Sequence, residues 1–180
     1  MKSVTFLFLS VFMMVLNSAA VAKEEVPAVM QETPASLQFV MDFEGSWLGD
    51  ATMTAWGESF PVDYNCDFRL TPDGTGIIMD EVVEADGNPI YTGTNLIGYD
   101  YHSNQLVWFT VDNEGHAHSH YGELIDENHL FLKHEGTNDG LEYIEDIDVT
   151  RLSDTEVLLS VVITVGGEVF QTIDGTFVRQ

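Results

Sequence analysis

Apolar and polar residues alternate one by one over most of this chain. The clearest stretch runs from Ser59 to Leu70. There Phe60, Val62, Tyr64, Cys66, Phe68 and Leu70 stand against Ser59, Asp63, Asn65, Asp67 and Arg69. Period-two alternation puts one set of side chains on each face of a β-strand. The same signal marks strands over Ser46–Trp56, Gly76–Glu84, Ile90–Tyr99, Gln105–Asp112, His116–Ile125, Leu130–Glu135, Leu141–Leu152, Glu156–Val165 and Glu168–Arg179. Turn residues separate them: Thr71-Pro72-Asp73-Gly74, Ala85-Asp86-Gly87-Asn88, Asp112-Asn113-Glu114-Gly115, Thr137-Asn138-Asp139-Gly140 and Gly166-Gly167. Pro and Gly fall where such turns require them. Leu37, Val40, Met41 and Phe43 instead follow a helical period, after Thr33 as N-cap and Pro34 at N1, with Gly45 as the stop.

About ten strands at hairpin spacing, with no helix long enough for a crossover, predict an antiparallel up-and-down sheet. Closure removes its edges. The expected fold is therefore all-β: a closed antiparallel barrel of about ten strands with one short N-terminal helix.

The chain ahead of the barrel reads differently. Lys2, the apolar run Val4–Leu16 and the small residues Ala20 and Ala22 have the layout of a signal peptide over residues 1–22, with cleavage after Ala22. Residues 23–33 form an acidic leader containing Pro27, and the barrel domain occupies 34–180. The apolar run is shorter than the ~20 residues a spanning helix needs. An exported, periplasmic or extracellular protein with no membrane span is expected.

Charge narrows the partners. The 180 residues carry 30 acidic against 6 basic side chains, a formal charge of −24 with neutral histidines. Such a surface repels nucleic acid, so none is expected as a partner. Cys66 is the single cysteine, which excludes an internal disulfide, and its place in the alternating run marks it as a core thiol. Nothing in the sequence sets an oligomeric state.

The chemistry concentrates in Gly115-His116-Ala117-His118-Ser119-His120-Tyr121. Three histidines at alternate positions share one face of a strand. If Gly115 closes a bulged hairpin, Asp112 stands opposite His116, Thr110 opposite His118 and Trp108 opposite His120. A second loop, with Asn128 in the left-handed region, would set His120 beside His134. This face also carries Leu106, Leu124, Leu130 and Leu132, so it is placed inside the barrel. Lumen-lining candidates are Trp47, Tyr64, Phe68, Trp108, His118, His120 and His134. Metal-ligating candidates are His116, His118, His120 and His134, with zinc or another transition metal as the ion. His116 and His120 are ~13–14 Å apart along a strand and poorly suited to share one ion. The favoured set is His118, His120 and His134, and a second is His116 and His118 with Asp112. Hydrogen-bonded lumen histidines and ordinary surface histidines are the competing readings. The acidic run Glu142, Glu145, Asp146 and Asp148 reads as a solvated edge. No nucleophile elbow, phosphate loop or HExxH pair is present. Apolar strands with polar groups placed among them favour a barrel that binds a small, partly apolar molecule in its lumen; the alternative is a metal-binding protein or metal-dependent enzyme using the histidine cluster.

Gly45-Ser46-Trp47-Leu48-Gly49 resembles the strand entry of lipocalins and, more closely, of nitrobindin-like barrels. Gly98-Tyr99-Asp100, Val107-Trp108-Phe109 and Tyr121-Gly122-Glu123-Leu124 follow in an order that resembles an exported bacterial domain-of-unknown-function family with such a barrel. The resemblance spans about Leu37 to Arg179. It implies a barrel of roughly ten strands and a hydrophobic ligand. Nitrobindins hold haem through a histidine near the C-terminal end; Glu168–Gln180 has none, so haem is not expected.

Overall fold

A computed structural model describes residues 32–180. The expected signal peptide and nearly all of the acidic leader lie outside the described residues.

Ten antiparallel strands form a closed barrel in which each strand pairs with its sequence neighbours and β1 closes on β10. They are β1 (Gly45–Ala55), β2 (Glu58–Leu70), β3 (Ile77–Ala85), β4 (Asn88–Asp100), β5 (Gln105–Asp112), β6 (Ala117–Asp126), β7 (His129–Asn138), β8 (Leu141–Ser153), β9 (Glu156–Val165) and β10 (Glu168–Arg179). The seam runs from Trp47 opposite Arg179 to Ala55 opposite Gln171. Alternation does what it predicts: Val62, Tyr64, Cys66 and Phe68 of β2 are buried between exposed or half-exposed neighbours.

Four of the five hairpins at one end use two-residue turns with positive φ: Trp56-Gly57, Asp86-Gly87, Asp139-Gly140 and Gly166-Gly167. Such turns match the twist of the strands they join. Three of them place Gly or Asp first. The fourth places Trp56 there at φ 54°, a bulky residue in a region it rarely adopts. Its ring is exposed and meets Phe170 edge-on at 5.9 Å.

The helix α1 (Ala35–Met41) covers the opposite end. It is seven residues, about two turns, long. Pro34, not Thr33, occupies the N-cap, and no side chain caps it. Leu37, Phe39, Val40 and the following Phe43 are buried in the barrel core. Two arginines fasten this plug. Arg151 donates to the Phe39 carbonyl at 2.8 Å and to the Asp42 carboxylate at 3.2 Å, with its guanidinium 4.5 Å from the Phe39 ring centre. Arg179 donates to the Glu44 carbonyl at 3.0 Å and lies over Trp47. One end of the lumen is shut and the other is left as a mouth.

Candidate functional site

β5 and β6 pair as the turn chemistry predicts. Thr110 stands opposite His118 and Trp108 opposite His120, and Gly115 takes φ 89° beyond Asp112. The β6–β7 connection departs from expectation. Asn128 is not among the residues with positive φ. The Asp126 carboxylate accepts the Asn128 N–H at 2.9 Å, and an irregularity between Leu124 and Asp126 absorbs the extra residue. That shift restores the anticipated register farther on, with Tyr121 opposite Lys133. One step beyond, His134 lies beside His120, their ring centres 5.8 Å apart.

The lumen holds a cavity of about 540 Å³ lined by side chains from both ends of the barrel. Trp47, Tyr64, Phe68, Trp108, His118 and His120 all line it. Much of the wall is apolar, including Met53, Val161, Ile163, Ile173 and Phe177. Polar groups gather on the arc of β3, β4, β5, β6 and β8.

Two carboxylates, Glu81 buried and Glu145 half-buried, organise that arc. The first is Glu81 on β3. Asn95 Nδ2 donates to its Oε1 at 2.8 Å, Tyr91 Oη to the same atom at 3.4 Å, and Tyr64 Oη to its Oε2. The Asn95 carbonyl in turn accepts from Trp108 Nε1 at 2.8 Å and Thr110 Oγ1 at 2.6 Å. Burial pushes the Glu81 carboxyl above its ordinary value, and the three donors only partly oppose this. Space for the carboxylate comes from Gly93: a Cβ there would lie 2.5 Å from Glu81 Oε1.

The second is Glu145 on β8, between His118 and His120. Its Oε2 is 3.4 Å from His118 Nε2 and 3.3 Å from His120 Nε2. Tyr143, two residues earlier on the same face, donates to that oxygen at 3.1 Å. Both Nε2 atoms are buried, and neither is aligned to hydrogen-bond with any partner. His120 is 2% exposed, and its Nδ1 is likewise unpartnered.

Among the described residues, the donor atoms that converge within 4.8 Å of one another belong to His118, His120 and Glu145. The sequence-based set of His116, His118, His120 and His134 differs from this at two positions. His116 sits at the mouth, 58% exposed, with its Nδ1 3.3 Å from Asp112 and 3.7 Å from Glu114. His134 faces inward beside His118, ring centres 4.4 Å apart. Its Nδ1 is 3.0 Å from the Ser119 carbonyl, and burial lowers its basicity. Nε2 then lies where a side chain on residue 136 would stand, 2.8 Å from a Cβ built on Gly136. Gly136 makes room for that edge of the ring along β7; the ring touches His118, but its donor atoms lie outside the convergent group and, unlike the other expected lumen residues, it does not line the cavity.

The sequence pattern places Glu145 on a solvated edge, and the structure turns it inward. The β8 register places it opposite His134 and Ile163, on the face of Tyr143, Ile147 and Val149. The signal was present in Tyr143-x-Glu145-x-Ile147-x-Val149, where an acid interrupts an apolar face.

No family model matches the chain, and no curated protein matches it. Among solved structures, the S-type phycobiliprotein lyase CPES from Guillardia theta superposes with a TM-score of 0.54 at 11% identity, over 79% of this chain and 91% of that one. The likeness is one of fold.

Proposed function

We propose that this barrel binds a small, partly apolar molecule in its lumen. The observation that carries the reading is the 540 Å³ cavity, plugged by α1 at one end and apolar around most of its wall, with polar groups confined to one arc. A cavity of this size and composition suits a molecule with an apolar body and one polar head. The wall opposite the polar arc would take the body. The arc from Glu81 to Glu145 would orient the head. The lyase that shares the fold acts on a phycobiliprotein; here that adds only a barrel architecture in common.

Native mass spectrometry of gently purified protein tests the reading by looking for a retained small molecule. A fluorescent apolar probe provides the second measurement, read through quenching of Trp47 and Trp108, both of which line the cavity. Val161→Trp projects an indole into the lumen from β9. It is expected to abolish probe binding and leave the far-ultraviolet spectrum unchanged. Equal probe affinity in Val161→Trp and the parent chain would refute lumen binding.

A further inference from the structure

The His118, His120 and Glu145 arrangement is poorly explained as an ion pair. Charge-assisted N–H···O bonds close to about 2.7–2.9 Å. Here both separations are 3.3–3.4 Å and neither ring nitrogen is aligned as a donor. Buried unpartnered polar atoms are uncommon and call for an explanation, which includes an ion. Ligand spacing supplies one. Donors at ~2.0–2.1 Å from a tetrahedral zinc are separated by about 3.3 Å from one another. The two nitrogen–oxygen separations fall on that edge length, and the two ring nitrogens lie within 4.8 Å of each other.

We propose that His118 Nε2, His120 Nε2 and Glu145 Oε2 form a site for a divalent transition metal of the zinc class. Two histidines and one carboxylate leave a position open, as in sites that act on a bound molecule rather than merely hold a fold together. All three side chains line the cavity, so the open position faces the lumen. Strand geometry builds the set economically. His118 and His120 come from alternate positions of β6, and Glu145 reaches across from β8 past the intervening His134. Tyr143 is a positioning residue: its hydroxyl holds Glu145 Oε2. Outer partners of this kind orient ligands and strengthen metal binding. The site stands apart from the small-molecule reading, since the lumen could admit an apolar molecule with or without an ion. Where both hold, the preferred head group is an anionic metal ligand such as a carboxylate or hydroxamate.

The test uses the full chain, freed of metal with a chelator, and Co²⁺ and Zn²⁺ as probes in high salt to suppress surface carboxylate binding. The expected result is one Co²⁺ per chain with visible absorption of a four- or five-coordinate ion, displaced by Zn²⁺. Acetohydroxamate should shift that absorption, and no shift would overturn the open position. Glu145→Gln keeps the side-chain shape, and its far-ultraviolet spectrum reports whether the barrel persists. It should weaken Zn²⁺ more than Tyr143→Phe, for which a loss of about 10–100-fold is expected. His118→Asn should behave like Glu145→Gln, whereas His116→Ala at the mouth should change nothing. Zn²⁺ affinity equal to the parent's in both Glu145→Gln and His118→Asn would overturn the site, as would a loss of affinity confined to His116→Ala.

Discussion

Replacing Glu81 separates two contributions of one buried group. Glu81→Ala strands the Tyr64 hydroxyl and one of the Asn95 amide donors inside the barrel, and removes the long bond from the half-buried Tyr91 hydroxyl. An unsatisfied buried donor costs about 1–3 kcal/mol. Asn95 Nδ2 keeps a longer bond to the Met79 carbonyl at 3.4 Å, so the expected loss is about 2–4 kcal/mol. That is a large share of the ~5–15 kcal/mol that holds a domain folded. Glu81→Gln is different. An amide mimics the protonated acid in shape and charge, and the Tyr64 hydroxyl can rotate to accept from it. Below pH 4.5, the ordinary value for this carboxyl, the Gln variant should match the parent within about 1 kcal/mol. The parent then diverges as pH rises. Burial lifts the folded-state pKa, so the folded chain holds a proton that the unfolded chain has released. The stability contributed by this group is full below the unfolded value. It falls by up to about 1.4 kcal/mol per pH unit until the raised folded value is passed. Glu81→Gln lacks that fall and should become the more stable protein at higher pH. Urea unfolding of all three chains, at a series of pH values starting below 4.5, measures both effects. A parent-minus-Gln difference that stays flat with pH would refute the reasoning. So would a Glu81→Gln loss as large as that of Glu81→Ala.

Two further predictions concern the ends of the barrel. Arg151→Ala removes hydrogen bonds to Phe39 and Asp42 together with the guanidinium packed on Phe39. Bonds made by a charged group contribute about 1.5–3 kcal/mol, so a loss near 2 kcal/mol is expected in urea unfolding; a loss below about 0.5 kcal/mol would mean the plug holds by apolar burial alone. Trp56→Asn relieves most of a left-handed backbone that costs a bulky residue about 1–2 kcal/mol and that asparagine tolerates, and gives up an exposed edge contact with Phe170 near the low end of about 0.5–1.5 kcal/mol. A gain of about 0.5–1 kcal/mol should appear as a raised thermal midpoint, and a lowered midpoint would show the aromatic pair to be the stronger term.

Strand identity and the β5–β6 register could be read from the chain because both rest on local chemistry. Period-two burial sets the faces, and Asp112 with Gly115 sets the hairpin. The β6–β7 register was reached through the wrong device: Asn128 does not turn left-handed, and a shift near Ile125 yields the same alignment. Glu145 was missed for a physical reason. An acid among acids resembles solvated surface until the apolar company of its own face is weighed. The convergence of Glu145 with two histidines from a strand two places away depends on three-strand register and on side-chain reach, which no local pattern encodes. The retreat of His134 onto Gly136 is likewise a packing outcome.

The seam between β1 and β10 bears on how the chain assembles. Every other strand pair joins neighbours in sequence through a short connection, so nine hairpins can form with little loop entropy to overcome. The seam joins residues at opposite ends of the domain, Trp47 with Arg179. Closure of the ring is therefore the expected slow, late event, and it governs the folding rate through contact order. The same pairing brings the first and last strands together at the plugged end. Joining Gln180 to the start of α1 and reopening the chain at Gly166-Gly167 would turn the seam into a local hairpin and make β9–β10 the long-range pair instead. Such a circular permutant would keep the same folded ring while exchanging which edge closes last.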